Sequence, residues 1–424
     1  NGGNVVCTIN NDDQPAQLTL VKTVTNDNGG TALPTAWTLA ASGPTPISGA
    51  TGTLPVTNAV VNAGAYTLGE SGGPSGYTAG DWKCTGATAA NGTVTVPNGG
   101  NVVCTINNDD QAAKLTLQKI VDANATGSAK VPANWTLTAT PDSIAGQATV
   151  SGNGDPSSAG GVKEVGVFAG SYTLDEDGPA GFTAGAWICE GGVLTDGTVV
   201  VPNGGNVICK ITNTAVSPKL TLVKVVHNNA GGTSVVADWT LTASGPTPIS
   251  GKTGAAAVTA APVKVGTYTL SESGPATGYT ASAWVCTGTG TQGAGADADQ
   301  VTLAEGQDAT CTITNTDQPG SLALVKHVSN THGGIAVKTD WTLAAAGPTP
   351  LSGAGGVAAS VVTAGEYTLS EADGPAGYSA SAWTCTGATA SADGKVTVPN
   401  GGSVVCEITN SDLPGTLELV KVVS

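Results

Sequence analysis

The stretch C-T-I-N-N-D-D-Q-P-A-Q-L-T-L-V-K, from Cys7 to Lys22, decides how this chain is read, because it returns four times. The equivalents run from Cys104 to Lys119, Cys209 to Lys224, Cys311 to Lys326 and Cys406 to Lys421. From Asn to Lys the interval is 11 residues every time: Asn11/Lys22, Asn108/Lys119, Asn213/Lys224, Asn315/Lys326 and Asn410/Lys421. From each Lys to the next Asn it drifts through 86, 94, 91 and 84. Joints of fixed length between bodies of variable length mark a tandem repeat. The expected division is 15–110, 111–214, 215–316 and 317–412 as four repeats. Residues 1–14 read as the closing strand of a preceding repeat, and 413–424 as the first strand of a following one. Residues 1–14 are identical to 98–111, so the chain reads as a window on a longer repetitive protein.

Each body of about 100 residues can bury its own core. The eight Trp fall two per repeat: Trp37/Trp82, Trp135/Trp187, Trp239/Trp284 and Trp341/Trp383. Net charge is −16, and all 15 basic residues are Lys. Such a chain has no basic patch to neutralise phosphates, which argues against nucleic acid. The charge suits a soluble, self-repelling surface. No signal peptide, membrane span or sorting motif stands in this window. Eight of the nine Cys pair by spacing as Cys84/Cys104, Cys189/Cys209, Cys286/Cys311 and Cys385/Cys406, leaving Cys7 alone. Without CxxC or a His cluster, this regularity reads as disulfides in an oxidising, extracellular compartment, secreted or at a cell surface.

Thr, Ala, Gly and Val dominate, and no stretch keeps a helical period. In the first repeat Leu18 to Val24, Trp37 to Ala40, Tyr66 to Glu70, Trp82 to Cys84, Val94 to Val96 and Val102 to Asn108 read as strands. Turns fall between them at Asn26 to Gly30, Pro74 to Tyr77 and Pro97 to Gly100. Short strands with turns every 8–12 residues or so give an all-β chain of antiparallel, immunoglobulin-like sandwiches placed head to tail. Repeat 2 is longer between Thr140 and Gly161 and repeat 3 between Thr287 and Gln300, where loops absorb insertions.

Strand side chains alternate, so residues of one parity share a face. Leu18, Leu20, Lys22 and Val24 fall together, which puts the Lys on the Leu face. Tyr66, Leu68 and Glu70 fall together, as do Val102, Cys104, Ile106 and Asn108. The other repeats place Lys119, Glu176 and Asn213; Lys224, Glu272 and Asn315; and Lys326, Glu371 and Asn410 in the same way. Burial favours the neutral amine of a Lys and the neutral acid of a Glu. A neutral amine is a nucleophile, and a protonated Glu polarises an amide and passes protons. If the three meet, the chemistry they suit is attack of Lys on the Asn side chain, an isopeptide cross-link inside the domain.

The opening-strand L-x-L-x-K, the Y-x-L-x-E followed by P-x-G-Y or P-x-G-F, and the closing I-x-N or I-N-N resemble collagen-adhesin B-type repeats. These are prealbumin-like (transthyretin-like) domains of Gram-positive surface proteins and pilins. The resemblance implies that Lys and Asn join spontaneously and that Glu70, Glu176, Glu272 and Glu371 catalyse the step once each. The linked pairs would be Lys22–Asn108, Lys119–Asn213, Lys224–Asn315 and Lys326–Asn410. Asn11 and Lys421 would find their partners outside the window. Two features depart from the family: the Cys pair is not part of its usual pattern, and Asn107 adjoins Asn108, so parity and spacing alone select between them.

Three other readings stay open at this level. The Lys can be a solvated guard of a sheet edge, or the three residues can form an unreacted hydrogen-bond network. Loops such as Thr140 to Gly161 can make the repeats adhesive, ligand-binding modules. Joining of Lys421 to Asn11 of another chain ranks lower, since the terminal segments do not rebuild a repeat. The expected protein is a structural stalk or filament rather than a turnover enzyme, with no cofactor and no metal. Its expected partners are neighbouring repeats of the same longer chain, with self-assembly into filaments left open. The Asn26 to Gly30 stretch has the flavour of a calcium loop but reads as a turn, because its equivalents lack the Asp. Under tension only the 11-residue joints would stretch, four of the five stiffened by Pro15, Pro218, Pro319 and Pro414.

Overall fold

The computed structural model of the protein describes residues 2–275 and 277–422. The chain divides into two compact units, the first reaching Ala215 and the second starting at Val216, with Asn124–Ser128 counted in the second. Each unit holds two β-sandwich repeats.

In the first unit, repeat 1 lays its opening strand Ala16–Thr25 beside its closing strand Asn101–Asp110. Ala59–Val61 flanks the opening strand; Tyr77–Ala79 and Lys83–Thr85 pair with the closing one. The facing sheet runs Ile47–Gly49, Trp37–Ser42, Gly64–Gly72, Thr93–Val96, Ala89–Ala90. Repeat 2 follows the plan with Ala113–Asp122 opening, Gly170–Asp177 in the middle of the facing sheet and Asn206–Ala215 closing. In the second unit the same three places are taken by Lys219–His227, Gly266–Ser273 and Asp308–Asp317, then by Gly320–Ser329, Gly365–Ala372 and Ser403–Asp412.

The alternation read from sequence sets the core. Leu18, Leu20, Leu39, Tyr66, Val94, Val102 and Cys104 of repeat 1 are all buried between its two sheets. Each repeat keeps one fully buried Tyr whose hydroxyl still finds a partner, as a buried phenol must. Tyr66, Tyr172 and Tyr268 each donate at 2.8 Å to the backbone oxygen of Asn62, Phe168 and Lys264, and Tyr367 donates at 2.7 Å to that of Thr363.

Three differences from the sequence reading have physical causes. The sandwich is not wholly antiparallel, because opening and closing strands pair parallel in every repeat. After leaving the first sheet for the second, the chain returns to lie beside its own start, and such a return fixes direction without any local signature. The joint is also not an 11-residue linker. Only Gln111 and Ala112 separate the closing strand ending at Asp110 from the opening strand beginning at Ala113, so most of the interval is paired strand. Of the segments 1–14 and 413–424, expected as strands, residues 2–14 and 413–422 run as irregular and exposed backbone, and residues 1, 423 and 424 lie outside the described residues. A strand without a ladder leaves its N–H and C=O groups to water, and neither segment lies in a sheet among the described residues.

The insertions fall where expected. In repeat 2 the longer segment forms the strand Val150–Asn153 and a turn behind it. In repeat 3 it adds the short 3-10 turn Gly295–Asp297.

Candidate functional site

Parallel register is what brings Lys and Asn together. Lys22 lies opposite Ile106 and Val24 opposite Asn108, so Lys22 and Asn108 are diagonal neighbours on one face. The register repeats without a slip: Lys119/Ile211 with Val121/Asn213, Lys224/Ile313 with Val226/Asn315, and Lys326/Ile408 with Val328/Asn410. The glutamate arrives from the facing sheet, where Glu70 pairs with Leu39 across the Trp37–Ser42 strand.

All four lysine side chains have zero exposure, and their glutamates keep only 13–17%. Lys22, Lys119 and Lys224 each donate from Nζ to Oε2 of Glu70, Glu176 and Glu272. Lys326 Nζ stands 3.0 Å from Oε2 of Glu371. The other glutamate oxygen faces the asparagine: Asn108 Nδ2 donates to Glu70 Oε1, and Asn410 Nδ2 to Glu371 Oε1, each at 2.9 Å. In all four repeats the asparagine Oδ1 is buried without a hydrogen-bond partner among the described residues. Asn107 turns to the opposite face, where its Oδ1 accepts from Thr23 Oγ1 at 2.9 Å. That leaves Asn108 as the inward residue of the pair.

Burial pushes each lysine below its ordinary range, and the adjacent glutamate only partly opposes this. The backbone N–H of the lysine is covered from the variable middle of the repeat. A hydroxyl accepts from it in repeats 1 and 3, Thr51 Oγ1 at 3.2 Å and Thr253 Oγ1 at 2.5 Å. In repeat 2 the inserted turn substitutes, Lys119 N donating to Gly154 O at 2.8 Å.

Two sets of residues at this end of the sandwich were missed from sequence. The first Trp of each repeat roofs the lysine: Nζ lies 4.8, 5.1, 4.8 and 4.7 Å from the ring centres of Trp37, Trp135, Trp239 and Trp341. An edge-on aromatic supports each roof, with Tyr77, Phe182, Tyr279 and Tyr378 at 5.0–5.3 Å between centroids. The alternation Trp37, Leu39, Ala41 carried that signal. Exchanging Trp239 for Phe is expected to cost repeat 3 about 1–2 kcal/mol, from a partial cavity and a weaker cation–π contact, read by chemical denaturation. The second set is Asp110, Asp317 and Asp412, two residues beyond Asn108, Asn315 and Asn410 and therefore inward by the same parity. Asp110 accepts at 2.9, 2.9 and 2.6 Å from the backbone N–H groups of Asp27, Asn28 and Gly30. Burial alone would raise its carboxyl, but those donors hold it below the ordinary carboxylate range. The Asn26 to Gly30 stretch is thus a turn wrapped around a carboxylate of its own repeat.

Each disulfide ties the closing strand to its antiparallel neighbour. Cys84 lies opposite Cys104, and likewise Cys189/Cys209, Cys286/Cys311 and Cys385/Cys406, with Cα atoms 4.0–4.1 Å apart. Cys7 is an exposed free thiol. Asn11 and Lys421 are exposed in the irregular terminal segments.

The fold and the site together define a class, tandem β-sandwich repeats whose opening, middle and closing strands converge on one buried lysine, glutamate and asparagine. A family model described as a prealbumin-like fold domain matches residues 13–106, 110–211, 216–313 and 317–408, and the chain belongs to that family. The resemblance read from the strand motifs agrees with it. Among solved structures, the TIE protein of Bacillus anthracis is similar at 14% identity, covering 90% of this chain and 67% of its own, with a TM-score of 0.46. The pilus adhesin SpaC of Lactobacillus rhamnosus GG is similar at 11% identity and a TM-score of 0.24, over 89% of this chain but only 57% of that one. Two B repeat units of the collagen binding protein of Staphylococcus aureus match at 14% identity and a TM-score of 0.19, over 95% of this chain and 99% of theirs. No curated protein matches the chain significantly. Among the described residues, no helix is long and apolar enough to cross a membrane.

Proposed function

We propose that the chain is a load-bearing part of a secreted or surface-displayed stalk or filament, in which every repeat closes its own Lys–Asn isopeptide bond. The observation that carries this reading is the fourfold meeting of a fully buried lysine with a glutamate from the facing sheet and an asparagine on the adjacent strand. Lys Nζ passes a proton to the glutamate and becomes a neutral amine. The amine attacks Cγ of the asparagine. The protonated glutamate donates to the amide, whose buried Oδ1 has no partner among the described residues; it then takes the second proton from the attacking nitrogen, passes it to the departing one, and recovers the oxygen's proton as the C–N bond breaks. One Nζ–Cγ bond forms, one Cγ–Nδ2 bond breaks, and one ammonia leaves. No second substrate enters, so each glutamate acts once. The extracellular setting rests on four disulfides and on family membership. The sandwich divisions 15–110, 111–214, 215–316 and 317–412 belong to the same proposal.

Intact mass after disulfide reduction is the test. The whole chain is expected to be lighter than its sequence by four ammonias, one per repeat. A full sequence mass would sink the cross-link and leave an unreacted network in repeats serving adhesion.

A further inference from the structure

The closing-strand aspartates do more than finish a sheet. In the first unit, the turn wrapped around Asp110 presents Asn28 O to repeat 2, where it accepts from Ala169 N at 2.8 Å. A second contact lies beside it. Gly76 O accepts from Gln111 N at 2.8 Å and from Asn203 Nδ2 at 2.7 Å, and Gly204 N donates to Gln111 O at 2.9 Å. The second unit builds the same joint. Asp317 accepts at 2.8, 2.7 and 2.7 Å from the N–H groups of Asn229, Ala230 and Gly232. Ala230 O then accepts from Ala364 N at 2.8 Å, and Gly278 O from Gln318 N at 2.8 Å and from Asn400 Nδ2.

The approach is close enough to exclude side chains. A Cβ on Gly29 would lie 2.4 Å from Ala169 O, and one on Gly231 2.3 Å from Ala364 O. Both glycines also hold positive φ, at +90° and +93°. Repeat 4 separates cause from consequence. Asp412 gathers the N–H groups of Thr331, His332 and Gly334 at 2.8, 2.6 and 2.8 Å in the same way, yet nothing lies within 4 Å of the Cβ position of Gly333. The turn therefore takes this form without a neighbour to mould it. Repeat 2 has Ala215 in the aspartate's place, and its turn still offers Thr126 O to Val265 N at 2.8 Å, so an aspartate is one of two ways to shape the turn.

We propose that Asp110 and Asp317 set the joint that follows their own repeat: each preshapes a turn into a docking surface whose partner is the next repeat, whereas repeat 2, with Ala215 in that place, shapes its turn without one. Asp110 and Asp317 would act through the turn, touching no residue of the repeat they help to seat.

Hydrogen exchange on the full chain tests this. With Asp317→Ala, the amide of Ala364 is expected to exchange about tenfold faster, as expected for one lost, partly buried hydrogen bond. The amides of Leu322 and Leu324 in the core of repeat 4 should keep their protection. Asp412→Ala makes the same lesion in a turn that contacts no further repeat among the described residues, and it should leave Ala364 unchanged. The proposal falls if Ala364 stays protected in Asp317→Ala, if the repeat 4 core loosens with it, or if Asp412→Ala has the same effect. This outcome does not depend on whether the isopeptide bonds form.

Discussion

Replacing Glu272 with alanine is expected to leave repeat 3 without its cross-link, so that the chain falls short of its own sequence mass by three ammonias instead of four, and to make that repeat much easier to unfold. The glutamate is the group that contacts the Nζ of Lys224, and that side chain has no exposure to water. Without the carboxylate, the amine has no base beside it and the asparagine has no acid. The lysine is also left as a buried cation whose remaining company is the Trp239 ring at 4.8 Å. Removing one partner of a buried ion pair costs about 3–5 kcal/mol, because the other charge loses both water and its counter-ion. Loss of the covalent bond adds to this. Intact mass and thermal melting together check the result. A deficit still of four ammonias with lower stability would assign Glu272 a structural role and remove it from the chemistry. A variant as stable as the parent would contradict the burial of Lys224.

The second large effect is mechanical. Lys22 and Asn108 are 86 positions apart in sequence. A bond between them carries tension straight from the opening to the closing strand, and everything between is shielded. Single-molecule pulling on the parent chain should therefore show no extension from repeat 1. In Lys22→Ala the shielded residues outside the loop closed by Cys84–Cys104 would be released, adding about 230 Å of contour at roughly 3.5 Å per residue. The other three repeats would stay closed in the same trace and serve as internal controls. A parent chain that already lengthens by this amount per repeat would rule out a covalent staple.

Much of this site can be read by counting in twos. The parity of Leu18, Leu20 and Lys22 placed a charged residue on an apolar face, and the same count placed Glu70 and Asn108. Carried two residues further it would have found Asp110, and applied to Trp37 it would have found the roof over the lysine. Those steps needed no new physics, only persistence with one rule. What counting could not supply is the parallel ladder, since pairing between Gln17 and Asn101 links residues far apart in sequence and depends on where the chain goes in between. The joint was misread for a related reason. Pro15, Pro319 and the polar run around Asp12 have the composition of a linker, yet inside the units such stretches are consumed by two strands and held by Gly76 or Gly278. Backbone carbonyls leave no trace in composition.

The parallel ladder has one more consequence. When first and last strands run side by side in the same direction, the chain enters the repeat at one end of the ladder and leaves at the other. A pull on both ends then slides the strands past each other in shear. The register from Gln17/Asn101 to Thr25/Asp109 is loaded as a block, and no pair can peel away ahead of the next. Shear resistance of this kind comes from topology alone. It would be in place from the moment the sandwich folds, and would keep lysine and asparagine aligned under load until a bond could form between them.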